Sequence, residues 1–173
     1  MISSKIQQLL NEQMRNEFYS AYFYLGMANW FEARNLSGFA NWFNVQVKEE
    51  RDHALRFRNY LIRVDGTPEL MAIEEPEQTF KDVEDVLQRT LAHEQFVTSK
   101  INELMETAVA ENDYKTILFL QWFVVEQTEE EQNVRDLIER LRVANNSDAG
   151  VLIMDDELES RKYTPSSTAT ENS

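Results

Sequence analysis

The sequence predicts an all-α fold: four long helices in one bundle, a long crossover between the second and third, and a short fifth helix near the C-terminal end. Three observations predict it. Glycine (4) and proline (3) are too scarce in 173 residues for an all-β chain, which needs a turn every ~10 residues. The stretches between them are rich in Glu, Leu, Gln and Arg, which favour helix. Within each stretch apolar residues recur at alternating spacings of four and three, the pattern of a packed bundle face.

The first helix is expected over residues 4–34, closed by the turn Asn35-Leu36-Ser37-Gly38. Ser37 offers a side-chain oxygen as N-cap for the second helix. That helix runs to about Val64 and stops at Asp65-Gly66, a usual C-terminal signal. Residues 65–79 hold Gly66, Pro68 and Pro76 and show no sustained period. The third helix is expected from Thr79, with Thr79 and Asp82 in a capping arrangement, to about Glu111. Asn112-Asp113 turns the chain into a fourth helix ending near Val143, and a short fifth segment covers 148–159. The tail is polar and rich in Ser and Thr. One domain over 1–160 and a disordered tail over 161–173 are therefore expected.

Loop lengths carry the topology. Short first–second and third–fourth links make each pair an antiparallel hairpin. The 65–79 link, about 15 residues, spans up to ~50 Å when extended, against ~40 Å for a helix of about 27 residues. It is long enough to cross the whole bundle and set helices two and three parallel.

Composition excludes several functions. Lys and Arg number 17 against 31 Asp and Glu, a formal charge of −14, which disfavours nucleic acid and anionic membranes as partners and permits a cation. The absence of cysteine removes disulfides, Cys-ligated zinc, iron–sulfur clusters and thiol catalysis. No apolar run approaches the ~18 residues of a membrane span. The first residues have no unbroken apolar core of a signal peptide, so a cytoplasmic location is expected.

The stripes locate the chemistry. They read Leu10, Met14, Glu17, Ala21, Tyr24, Ala28, Phe31; then Phe39, Phe43, Gln46, Glu50, His53, Phe57, Tyr60, Val64; then Val83, Leu87, Thr90, Glu94, Val97, Ile101, Leu104, Ala108; and Thr116, Leu120, Phe123, Gln127, Glu130, Val134, Leu137, Leu141. Each is mainly apolar except near its middle. Glu17, Glu50 with His53, Glu94, and Gln127 with Glu130 therefore share one height in the bundle. A single Glu on an inner stripe is usually a misjudged face or a snorkelling side chain; a matching set on four helices is not. Four buried carboxylates repel one another and lose hydration at several kcal/mol each, and no stripe carries a Lys or Arg. A cation from outside resolves the conflict. Glu50-x-x-His53 puts a carboxylate and an imidazole on one helix face, and mixed oxygen and nitrogen donors suit iron, manganese or zinc. Four carboxylates and one His suffice for two divalent ions, with Glu50 placed to bridge them.

With these stripes the sequence resembles the ferritins, specifically the prokaryotic non-haem ferritins, over about residues 1–160. The segments that carry the resemblance are Asn11-Glu12-Gln13-Met14-Arg15-Asn16-Glu17-Phe18-Tyr19-Ser20, Glu49-Glu50-Arg51-Asp52-His53-Ala54, Phe119-Leu120-Gln121-Trp122-Phe123-Val124-Val125-Glu126-Gln127 and Asp155-Asp156-Glu157-Leu158. The resemblance implies a ferritin-like four-helix bundle with a ferroxidase centre of two irons per subunit. Glu17, Glu50 and His53 would hold one iron. Glu50, Glu94 and Glu130 would hold the second, with Gln127 beside it. It implies a third iron position at Glu49, Glu126, Glu129 and Glu130, and a redox or hydrogen-bonding role for Tyr24. Sister families depart from the sequence. Bacterioferritin, di-iron oxygenases and manganese catalases carry a second Glu-x-x-His where this chain has Gln127-x-x-Glu130. A haem-ligating Met of bacterioferritin is Arg51 here, so no haem is expected.

Weaker signals point in two directions. His93 lies one position off its stripe, which favours a solvated or supporting role over ligation. Glu129-Glu130-Glu131 reads as a solvated acidic run except at Glu130. Trp122 fits core packing or electron relay equally. The apolar patch Val151-Leu152-Ile153-Met154 fits burial against other subunits or packing on its own bundle; the resemblance favours the former, in a 24-subunit shell. The expected function is oxidation of Fe(II) by dioxygen or hydrogen peroxide and storage of ferric mineral. A non-catalytic metal-buffering bundle is the alternative from another class. A small di-iron oxygenase is disfavoured by the missing second His.

Overall fold

The computed structural model describes residues 2–165. Its five helices are α1 (Ser4–Glu32), α2 (Ser37–Arg63), α3 (Val83–Ala110), α4 (Tyr114–Val143) and α5 (Asp148–Leu158), and there is no strand among the described residues. The fold is all-α. α1 packs on α2 and α3 on α4 as two hairpins, α1 also meets α3, and α5 folds back onto α2 and α4.

The crossover runs along α1. It leaves α2 near the start of α1, where Asn11 Nδ2 donates to Thr67 O (3.0 Å) and Glu69 N donates to Asn11 Oδ1 (2.7 Å). It arrives near the end of α1, where Phe80 sits edge-on to Trp30 at 6.0 Å. Those contacts lie 19 helical residues apart, roughly 28 Å of helix. α2 and α3 therefore start at the same end of the bundle and run parallel, as the loop length predicts. Pro76 and Phe80 are buried along the way. α3 begins later than expected, because Asp82 rather than Thr79 supplies the cap, accepting from Asp85 N (2.8 Å).

The predicted N-cap of α2 is also displaced. Ser37 is the first helical residue, and Leu36 at the cap makes no side-chain bond. The missing acceptor comes from α5: Asp155 Oδ1 accepts from Phe39 N at 2.8 Å. A carboxylate at a helix N-terminus is favoured by the helix dipole. Gly38 permits this contact, since a Cβ there would lie 1.7 Å from Asp155 O. Helix C-termini close through left-handed Asn35, Asp65, Asn112 and Asn145 (φ 52–58°). In each case the next amide returns five residues back, as in Gly66 N to Leu61 O (2.8 Å) and Asp113 N to Ala108 O (2.9 Å). Asn and Asp tolerate this conformation better than other residues with a Cβ. At the α2 stop it is therefore Asp65, not Gly66, that turns the chain.

The apolar interior has two parts. One contains Tyr24, Phe31, Phe39, Phe43, Leu87, Leu137 and their neighbours, with Met154 and Leu158 of α5. The other contains Ile6, Leu10, Phe57, Leu61, Ile101, Leu104, Phe123 and others. α5 divides the 151–154 patch: Met154 is buried against the bundle, while Leu152 (57%) and Ile153 (61%) remain exposed on this chain. No helix among the described residues is long and apolar enough to cross a membrane. The expected disorder from 161 does not hold for the first tail residues: Arg161 bonds Gln46 and Glu49, and Tyr163 donates to Asp52. The remainder of that expectation, residues 166–173, lies outside the described residues.

Candidate metal centre

Between the two apolar parts lies a layer of polar side chains. Gln13, Glu17 and Ser20 come from α1, Gln46, Glu50 and His53 from α2, Thr90 and Glu94 from α3, and Gln127 and Glu130 from α4; all are buried. The helical stripes place them there, since every named stripe position from Leu10 to Leu141 is buried apart from partly buried Ala21 and Val64. No Lys or Arg is buried among the described residues.

Glu17, Glu50 and His53 form the compact part of the layer, with one ligand atom from each lying within 4.8 Å of the other two. His53 Nδ1 stands 3.5 Å from Glu50 Oε2, and its Nε2 points outward, 3.9 Å from Glu126 Oε1. With the ring proton on Nε2, toward Glu126, the Nδ1 lone pair faces the interior, the orientation a metal-binding imidazole needs. Glu17 Oε1 accepts from Gln13 Nε2 at 2.7 Å. Its other oxygen, Oε2, is buried with no partner. A buried carboxylate oxygen without a donor is costly; a proton shared with Glu50 or a cation would relieve it.

Glu94 and Glu130 face the same interior but are held differently. Glu94 Oε1 accepts from the Tyr24 hydroxyl, and Glu94 Oε2 accepts from Gln127 Nε2 at 3.1 Å. Glu130 Oε2 accepts from Gln46 Nε2 at 2.9 Å. Among the described residues the tight three-ligand group is Glu17, Glu50 and His53; Glu94 and Glu130 do not close into a second one. They are nonetheless near enough to act on Glu50, whose carboxyl is pushed well up by burial and then by Glu94 and Glu130. Burial likewise raises Glu17 well above the usual carboxylate range, with Glu50 adding to it, and raises Glu130. Burial followed by Glu130 lifts Glu94 to about 8. Burial and Glu94 push the Tyr24 phenol well up, so it stays protonated and donates.

The three outer acids are spread. Glu49 and Glu126 are half-buried and Glu129 is exposed. Glu126 is raised by burial and further by Glu130 and Glu129, with His53 opposing. Glu49 is already paired: Arg161 Nη2 lies 2.7 Å from its Oε2. His93 is neither solvated nor a ligand. Its Nε2 meets Ser20 Oγ at 2.8 Å, the rings of Tyr19, Phe23, Tyr24 and Phe96 surround it, and burial lowers its pKa to about 4. Trp122 packs edge-on to His53 at 5.3 Å beneath the Arg56 guanidinium.

Sequence reasoning missed four supporting groups. Gln13 and Ser20 lie one turn from Glu17, and Gln46 interrupts an apolar stripe as visibly as Glu50 does. Arg161 had no signal, since nothing in a polar tail tells where it docks.

The comparisons agree with this geometry. A family model for a ferritin-like domain matches residues 7–144. A bacterial non-heme ferritin of Campylobacter jejuni is 38% identical over 155 residues, covering 90% of this chain and 93% of that protein. One of Escherichia coli O157:H7 is 35% identical over 158 residues, covering 91% and 96%. Among solved structures, an engineered closed form of the Archaeoglobus fulgidus ferritin superposes with a TM-score of 0.93 at 40% identity, covering 95% of this chain and all of that one. An open-pore ferritin from the same archaeon gives 0.92 at 40%, covering 94% and all of that chain. With a buried four-helix carboxylate layer, a long crossover and relatives matched over nearly their whole length, the chain belongs to the ferritin family.

Proposed function

We propose that this ferritin oxidises Fe(II) at a di-iron ferroxidase centre in the buried layer and stores the ferric product as mineral inside a hollow 24-subunit shell in the cytoplasm. The observation that carries the reading is the unpartnered Glu17 Oε2 beside Glu50 and His53, in an interior with four acids and no buried Lys or Arg. Glu17, Glu50 and His53 take the first iron. Glu50 bridges to a second held by Glu94 and Glu130, with Gln127 fixing Glu94. Glu49, Glu126, Glu129 and Glu130 form a third, transit position.

Iron is the substrate here, supplied as Fe(II) and passed on as Fe(III). Two irons give up one electron each, and with two protons the pair of electrons reduces either dioxygen to hydrogen peroxide or hydrogen peroxide to two waters. Ionised carboxylates bind the higher oxidation state more strongly and so lower the potential of the couple. Tyr24 stays protonated, donates a hydrogen bond to Glu94 Oε1 and orients that carboxylate. The exposed Leu152 and Ile153 support burial of α5 in an assembly.

The test adds Fe(II) to the metal-free protein under oxygen, follows ferric absorbance and sizes the product by light scattering. Expected are fast oxidation and a particle of about 0.5 MDa, 24 copies of a 20.4 kDa chain. A monomer or dimer at all concentrations refutes storage. A shell that oxidises iron no faster than buffer refutes the ferroxidase centre.

A further inference from the structure

Three residues beyond α5 the chain returns to the metal layer. Arg161 Nη2 donates to Gln46 Oε1 at 2.5 Å and to Glu49 Oε2 at 2.7 Å, and Nη1 donates to Trp42 O at 3.1 Å. The guanidinium lies 4.6 Å over the Trp42 ring. The backbone around it is tied down as well: Asn41 Nδ2 donates to Leu158 O (3.1 Å) and to Arg161 O (3.0 Å). Two residues on, the Tyr163 hydroxyl donates to Asp52, and the Lys48 ammonium stands 5.5 Å over the Tyr163 ring. The segment is a strap along α2, and Arg161 is the side chain it delivers.

The consequence turns on the amide of Gln46. A guanidinium only donates and an ionised carboxylate only accepts. With Arg161 on one side and Glu130 on the other, Gln46 has one satisfied orientation: Oε1 toward Arg161 and Nε2 toward Glu130 Oε2, the observed 2.9 Å bond. Without Arg161 only Glu130 itself holds that choice, and the flipped amide would set oxygen against oxygen. We propose that Arg161 is a positioning residue of the metal centre, acting through Gln46 to hold Glu130 with one oxygen occupied and the other free for a metal ion. The inference rests on the reading of Glu130 as an iron ligand.

The sign of its effect separates it from simple electrostatics. Removing a cation beside Glu49 should strengthen binding of any divalent ion nearby, whereas loss of a ligand's orientation weakens it. Partners that orient metal ligands are typically worth 10–100-fold in affinity. The probe is Co(II), titrated without oxygen into the assembled metal-free protein and read by its visible absorption and by calorimetry. Arg161→Gln should weaken the second Co(II) about tenfold and leave the first, at Glu17, Glu50 and His53, within about twofold. Gln46→Leu, which keeps Arg161 on Glu49 but removes both its contact to Gln46 and the donor to Glu130, should give the same split. Arg161→Lys keeps the charge but has no second nitrogen to anchor on Trp42 O while one serves Gln46 and Glu49, and should recover only part of the loss. Second-ion binding that is unchanged or tighter in Arg161→Gln, or unaffected in Gln46→Leu, overturns the positioning role. Wild-type protein that binds no second Co(II) refutes instead the proposed di-iron centre.

Discussion

Replacing Glu94 by Gln should stabilise the metal-free protein at neutral pH. Burial and Glu130 lift the folded-state pKa of Glu94 from the ordinary 4.5 to about 8. Between these values the folded chain binds more protons than the unfolded one, so stability falls as pH rises through that window and is level on either side. At pH 7 the solution stands about 2.5 units above the unfolded-state pKa and still below the folded-state one, which at 1.36 kcal/mol per unit costs about 3 kcal/mol; at pH 5 the cost is below about 1 kcal/mol. Glutamine abolishes this dependence. Its oxygen still accepts from Tyr24, but its NH2 meets that of Gln127, which donates to Glu94 in the wild type, giving back about 1 kcal/mol. The variant should thus be more stable by roughly 2 kcal/mol at pH 7, a rise of roughly 4–8 °C in thermal midpoint for a chain of this size, and no more stable at pH 5. Calorimetry of chelated protein at the two pH values measures this, and saturating Zn(II) should reverse the order, because the metal neutralises the carboxylates only where they are present. A variant that melts lower than wild type at pH 7, or by the same difference at both pH values, refutes the reading of a strained carboxylate layer.

Glu50→Ala should abolish fast Fe(II) oxidation in stopped-flow absorbance while slow mineral growth persists, since in the proposed centre Glu50 alone would bridge the two irons. The double change Glu17→Leu with Glu50→Leu should keep the metal-free bundle folded by circular dichroism and leave it at least as stable, because apolar replacement of buried ionic groups is often neutral or favourable by ~1–4 kcal/mol. Gly38→Ala should undock α5, since the new Cβ would fall 1.7 Å from Asp155 O. The Phe39–Asp155 bond is then lost, a contribution of about 1.5–3 kcal/mol for a charged acceptor, and light scattering should find smaller particles. Glu129→Ala should change the iron oxidised per dioxygen consumed, measured with an oxygen electrode, and leave the thermal midpoint unchanged because Glu129 is exposed.

The fold was legible because its determinants are local and periodic. Stripes of period near 3.6 located four helices and their buried faces residue by residue, and the span of the crossover fixed its parallel connection. The acids of the layer were legible for the same reason: Glu17, Glu50, Glu94 and Glu130 contradict the stripes they occupy. What escaped came from partners distant in sequence. The cap of α2 is Asp155, 116 residues from Phe39, and no local pattern distinguishes it from Ser37, the nearer and chemically reasonable choice. Arg161 escaped equally, because a polar tail looks disordered until the surface it lies on is known. His93 was placed off the inner face by counting, yet the aromatic rings of α1 close over it.

The division of the interior into two apolar parts gives the bundle an uneven stiffness. Each end is clamped by interlocked rings, Phe31 on Phe39 at 4.9 Å at one and Tyr60 on Phe119 at 3.9 Å at the other. The waist between them is held by hydrogen bonds among acids that repel one another. Spreading the waist wets groups that water solvates well, whereas spreading either end exposes hydrocarbon and is resisted at about 25 cal/mol per Å². Flexing is therefore concentrated at the height where the proposed iron would enter and leave, and an ion tying Glu17 on α1 to Glu50 and His53 on α2 would act as a removable rivet across it. The same carboxylates that would hold iron make the bundle compliant when it is empty and rigid when it is loaded.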